Sequence, residues 1–154
     1  LSLYLPYIEK HSKVIADVYK LADLIMYAAW QERAPIYIDL RLMLAAQRKA
    51  EDMAKHDYFA HTNPFGFTAN ENVRAAGYKL PDYYSEKGNQ VESLYIGHDE
   101  PEEAVKGWLE SSSHHDHIAG RNDFYRGQPA IGVGTAVAQD GRQLWVFISA
   151  PGMN

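Results

Sequence analysis

Potential chemistry in this chain is densest at residues 108–120, read WLESSSHHDHIAG, where His114, His115 and His117 cluster with Asp116 among them. Imidazole binds metals and moves protons near neutral pH, so a histidine tract at a helix end is either a site or a polar turn. Two other residues stand where a predicted element meets a loop, His61 and Glu92, and binding groups are often held at such junctions. Two imidazoles and a carboxylate form a ligand set that zinc accepts, with a fourth position left for water. The same three groups could act as an acid/base set without metal. Their separation in sequence does not say whether they converge.

Competing arrangements are weaker. Ser112 and Ser113 precede His114, and with Glu92 they could spell a Ser-His-Glu triad, but no G-x-S-x-G elbow is present. There is no H-E-x-x-H of a zinc protease. His56 and His61 lie five apart across a helix end, which is not a helical ligand spacing. His11 reads as a surface helix residue, and His98 beside Asp99 as structural. The chain has no cysteine, which excludes disulfides and thiolate-held zinc.

The elements that must position these groups follow from periodicity. Residues 1–7 form a short apolar stretch interrupted by Pro6. From residue 8 to about 31, Val14, Val18, Leu21, Ile25 and Ala28 recur at helical period. Pro35 breaks that helix, residues 34–38 read as an extended connection, and Asp39 is an N-cap for a helix over 40–56. On that helix Leu40, Leu44, Gln47, Ala50 and Ala54 share the expected apolar face, with Met43 and Met53 beside it. A turn-rich loop carries His61. Thr68 and Glu71 form a capping box for a short helix that Gly77 stops. Residues 91–96 read as a strand containing Glu92. Pro101 opens a helix to about Ser112 with Ala104, Val105, Trp108, Leu109 and Ser112 inward and Glu103 and Glu110 outward. Residues 121–129 read as a loop. Ile131, Val133, Thr135 and Val137 alternate, as do Leu144, Val146 and Ile148 against Trp145 and Phe147, with Asp140-Gly141 as the hairpin turn. Gly132 and Gly134 permit close backbone packing or a bulge. Strands covered by helices give a layered α+β fold. Trp108 reads as core, and the eleven tyrosines and other tryptophans as packing or as the lining of a lipid or sugar groove.

Composition narrows the function classes. A chain of 154 residues fits one domain, and a net charge of −5 without any Lys/Arg cluster argues against nucleic-acid binding. No apolar run approaches the ~20 residues of a membrane span. The chain starts at Leu1 rather than Met, as expected of a processed form.

Several motifs, in order, resemble the CAP superfamily of cysteine-rich secretory, antigen 5 and pathogenesis-related proteins, and within it the bacterial SCP-like domains. Residues 45–54 (AAQRKAEDMA) are similar to that family's AAQxxAxDMA, and residues 58–64 (YFAHTNP) to its F-S-H-x-x-P. Residues 75–78 (AAGY) match AAGY, Glu92 takes the place of the Glu in G-E-N-I, and residues 131–134 are IGVG. Trp108 to Ser111 followed by His114 resembles W-x-x-S-P-G-H-R. The resemblance implies a three-layer α-β-α sandwich with a central antiparallel sheet over residues 25–154, and a helical extension over residues 1–24 that packs on the domain or leads into it. It also implies a cleft lined by His61, Glu92, His114 and His115, with His61 and His114 as ligands for zinc or another divalent metal. Here Ser112-Ser113 replaces Pro-Gly, His115 replaces the Arg, and Ser93 replaces the Asn. The family's further Glu falls at Ser111, with Glu110 next door, so these two compete for a fourth cleft position. The implied function is an exported bacterial binding module, extracellular or at the cell surface, for a metal, a small polar or lipid ligand, or a protein partner. The alternatives are a zinc-dependent hydrolase with Glu92 as base and a structural domain without ligand.

Overall fold

Apolar side chains of the last strand point alternately to two faces of one sheet, and each face is roofed by helices. The computed structural model describes residues 5–153. The sheet holds β1 (Tyr37–Ile38), β2 (Glu92–Gly97), β3 (Ala130–Val137) and β4 (Gln143–Ala150) in the order β1-β3-β4-β2. β3 and β4 form the expected hairpin, and β2 pairs antiparallel with β4. β1, expected only as an extended connection, pairs parallel with β3 through Tyr37 and Ala130, so the sheet is antiparallel except at this edge.

On one face α2 (Leu40–His56) and α3 (Ala69–Ala75) cover Leu144, Val146 and Ile148. On the other α1 (Leu5–Met26), α4 (Pro101–Leu109) and α5 (Ser112–Ala119) cover Ile131, Val133, Trp145 and Phe147. A single turn, α6 (Asp123–Arg126), lies in the expected loop before β3. The result is a three-layer α-β-α sandwich. Val18, Leu21, Ala22 and Ile25 of α1 are buried against Trp108 and the sheet, and α1 runs across residue 24 without a break. Residues 1–4 of the expected apolar stretch lie outside the described residues. Pro6 sits in the first turn of α1, where its missing N–H costs nothing, and does not interrupt it. The helix ends at Met26, before the expected residue 31, because the Gln31 side-chain amide takes the Ile25 carbonyl.

The buried face of α2 differs from the expected one. Leu42, Ala45, Ala46, Lys49, Ala50 and Met53 face inward, while Leu40 is 75% exposed and Leu44 42%. The reason lies in β3. A Cβ on Gly132 would stand 2.1 Å from the Leu42 carbonyl carbon, and one on Gly134 2.5 Å from that of Ala46. The helix backbone rests directly on the strand, so glycines and small residues line the closest contact, and Leu40 and Leu44 are turned out. The helix also covers β3 beyond the short β1: Gln47 accepts from the Thr135 N–H and donates to the Thr135 carbonyl, and the Val133 N–H points at Met43 Sδ. Such side-chain pairing hides an otherwise open strand edge.

Asp39 caps α2, and Thr68 with Glu71 forms the capping box of α3, both as expected. The helix expected over 101–112 is two helices. Ser111 has an extended backbone (φ −108°, ψ 123°) and starts α5, so the histidine tract lies on a helix and not in a loop. Leu109 is only half-buried and Ser112 is exposed.

Candidate functional site

Glu92 opens β2, where the Asn89 side chain clamps it: Asn89 Oδ1 accepts from the Glu92 N–H at 2.9 Å and Asn89 Nδ2 donates to its carbonyl. The Glu92 side chain is fully buried and His61 Nδ1 lies 2.9 Å from its Oε1. The other oxygen, Oε2, is buried without a hydrogen-bond partner among the described residues. His61 is held from behind through its backbone. Lys49, 5% exposed on α2, donates to the His61 carbonyl at 3.0 Å and to the Tyr58 hydroxyl at 3.2 Å. Burial holds the Lys49 ammonium below its ordinary value, opposed by the charges of Glu92 and Asp52.

His114 occupies the first turn of α5 with Nδ1 3.0 Å from Ser111 Oγ. Burial, and then the charge of His61, lowers its pKa. Of the two residues competing for a fourth position, Ser111 is the one that touches a site histidine. Glu110 is exposed and lies near Tyr95, whose phenol it helps to raise. His115 is half-buried, and its ring makes no hydrogen bond to His61, Glu92 or His114.

The carboxylate fixes the orientation of His61, the arrangement by which outer groups commonly set an imidazole tautomer. With Nδ1 donating to Glu92, Nε2 remains as an acceptor. Two imidazole nitrogens are therefore free for a ligand, whereas Glu92 already binds His61. Among the described residues no group of three or more His, Asp or Glu side chains stands close enough to hold a metal ion. That donor set falls short of the three protein ligands usual for a catalytic zinc.

A network that the sequence did not suggest centres on His117. His117 is buried, with Nδ1 2.6 Å from Ser93 Oγ and Nε2 2.8 Å from Ser149 Oγ. Ser149 donates on to Gln128, which reaches the Tyr84 hydroxyl. The His117 ring also packs against Tyr125 and Phe147. Ser111 at the start and Gly120 at the end (φ +65°) are the local signs of a helix that turns His117 inward.

Burial, helped by Arg33, His114 and His61, pushes the His117 imidazole well below the ordinary histidine range. The unfolded chain therefore binds a proton near pH 6.5 that the folded chain refuses. With more protons on the unfolded state, stability rises with pH up to about 6.5 and is lost as pH falls below it. Well below pH 6.5 this single group contributes a slope approaching about 1.4 kcal/mol per pH unit. Urea midpoints at pH 7.5, 6.5 and 5.5 should drop little over the first interval and more steeply over the second, and His117→Gln should flatten the drop; equal pH dependence in the two proteins would contradict a neutral buried ring.

A sandwich of this layering, with helices on both faces of a mostly antiparallel sheet, is the fold of proteins that contain an SCP domain. The chain belongs to the CAP family: the family profile described as "Cysteine-rich secretory protein family" matches residues 31–149. It is 31% identical over 100 residues to the uncharacterized protein YkwD of Bacillus subtilis (strain 168), a match covering 65% of this chain and 34% of that protein. The chain thus spans about a third of that relative's length. Its fold is similar to an extracellular protein containing an SCP domain from Bacillus anthracis str. Ames, with TM-score 0.62, 19% identity, and coverage of 88% of this chain and 41% of that one. It is also similar to an outer surface protein from Borrelia burgdorferi, with TM-score 0.61, 20% identity, and 88% and 89% coverage. No helix among the described residues is long and apolar enough to cross a membrane.

Proposed function

We propose that the chain is an exported bacterial binding domain, working outside the cell or at its surface, whose cleft at His61, Glu92 and His114 takes a small polar ligand through hydrogen bonds. One observation carries this reading: the buried Glu92 carboxylate fixes Nδ1 of His61, whose ring is still 42% exposed and so presents Nε2 outward. An imidazole oriented by a carboxylate offers a fixed acceptor, to which a ligand N–H or O–H can donate. The names of the similar structures, extracellular and outer-surface proteins, support the location.

A fragment set of small alcohols, amides and amines, read by the ring protons of His61 and His114, tests it. Fragments that move both rings together are expected, with affinity falling about tenfold in Glu92→Gln, the loss of one charge-assisted hydrogen bond. Calorimetric zinc titration of the metal-stripped chain provides the contrary arm. Micromolar zinc binding abolished by both His61→Ala and His114→Ala, with no fragment moving both rings, would replace the polar-ligand reading with a metal site.

A further inference from the structure

A cavity of about 160 Å³ lies between α2, the 57–68 loop and α3, lined in part by Arg48, Lys49, Asp52, Tyr58 and Asn63 together with apolar surface from Phe67 and Ala75. It has room for about five waters, or for an ion of a few heavy atoms. Its charges are unequally committed. Asp52 Oδ2 accepts from the Tyr58 hydroxyl and from Asn63 Nδ2, and Oδ1 lies 3.5 Å from His56 Nε2. The one carboxylate of the lining is therefore already satisfied. Lys49 uses two of its three protons, on Tyr58 and on the His61 carbonyl. Arg48 is exposed and makes no hydrogen bond or ion pair among the described residues. Two cations thus share the lining with one occupied carboxylate, while Glu92, outside the lining, also acts on Lys49.

We propose that this cavity binds a small oxyanion, a carboxylate or phosphate group, between the Arg48 guanidinium and the remaining proton of Lys49. A guanidinium presents two parallel N–H donors that match two oxygens of either group, and the ammonium adds a point charge without that directional demand. The site is separate from the His61 ring but shares a support with it. Lys49 also donates to the His61 carbonyl, so an anion drawing on the ammonium alters the hold on the His61 backbone. Occupancy is therefore felt in the cleft without an anion entering it.

The test is titration of the full chain with acetate and, separately, with inorganic phosphate at neutral pH, followed by backbone amide signals over residues 48–68. Saturable shifts centred on Lys49, Tyr58 and Asn63 and reaching the His61 amide are expected, and the stronger of the two anions identifies the preferred group. Arg48→Gln should weaken binding about tenfold or more, the loss of a bidentate charge-assisted pair. Because Arg48 is exposed and unpaired, this variant does not threaten the fold. His61→Ala removes the ring but keeps the carbonyl, so it should leave anion affinity in place. Shifts that never saturate for either anion, or affinity unchanged in Arg48→Gln, would overturn the proposal. Loss of binding in His61→Ala would also overturn it, because the anion would then lie in the cleft.

Discussion

Gly134→Ala is expected to lower the stability of the domain by about 3 kcal/mol or more, at the upper end of what overpacking costs. Gly132→Ala should be at least as damaging. In both cases the added carbon meets backbone: it would lie 2.1 Å from the Leu42 carbonyl carbon at position 132 and 2.5 Å from the Ala46 carbonyl carbon at position 134. A flexible side chain could swing away from such a contact, but a helix backbone cannot. Relief therefore requires α2 to lift from β3, opening the contact of Leu42, Ala45 and Ala46 with the sheet and breaking the Gln47 bonds to Thr135. The lift would also move Lys49 and the loop it holds, so loss of the His61–Glu92 contact should accompany the loss of stability. Since domains are stable by only about 5–15 kcal/mol, even one of these substitutions removes a large share of the stability. Gly141→Ala is the control. Nothing lies within 4 Å of its Cβ, but φ is +90°, so only a turn penalty of about 1–2 kcal/mol is expected. Urea unfolding of the three single variants measures the ranking. A wild-type midpoint for Gly134→Ala would mean that α2 does not rest on the strand.

These glycines show where sequence was informative and where it was not. Their place in an alternating strand signals close backbone approach, but not which helix approaches. That information is tertiary, and without it the helical pattern alone places Leu40 and Leu44 on the buried face of α2. Helix caps fared better because they are local: Asp39, the Thr68–Glu71 box and Pro101 each fix an end through atoms a few residues apart. The alternation of β4 was legible for the same reason, since its two faces meet separate cores. The pairing of His61 with Glu92 was not derivable from spacing, and its expectation rested on the family likeness. Ser111, which the sequence offers only as a substitute for a carboxylate, instead contacts His114. Arg33 carried no sign of burial, because a cation is ordinarily outside and its partners come from distant carbonyls.

Arg33→Met is therefore the second variant with a large expected effect, a loss of about 4 kcal/mol or more, comparable to stripping one partner from a buried charged network. The guanidinium is 3% exposed and stands at the C-terminal end of α5. It donates to the His117 carbonyl at 2.5 Å and to the Ile118 carbonyl at 2.9 Å, and Nε reaches the Gln128 carbonyl at 2.8 Å. Unpaired carbonyls at a helix C-terminus carry partial negative charge, so α5 itself takes the place of the missing carboxylate partner. Burial still pulls the Arg33 pKa down, to about 10, which leaves it charged at neutral pH. Methionine fills much of the space and supplies no donor: the Gln128 carbonyl is left unpaired at about 1–3 kcal/mol, and the His117 and Ile118 carbonyls keep, among the described residues, only the Gly120 N–H and the Gln31 side-chain amide. Arg33→Lys should recover only part of the loss, because one ammonium cannot span both α5 and the 125–128 segment. The site should feel the same change. α5 carries His114 near one end and is fastened by Arg33 at the other, so Arg33→Met should broaden the His114 ring signals under conditions where the chain remains folded. Wild-type stability with unaltered His114 signals would show that water satisfies these carbonyls and that α5 needs no cation at its end.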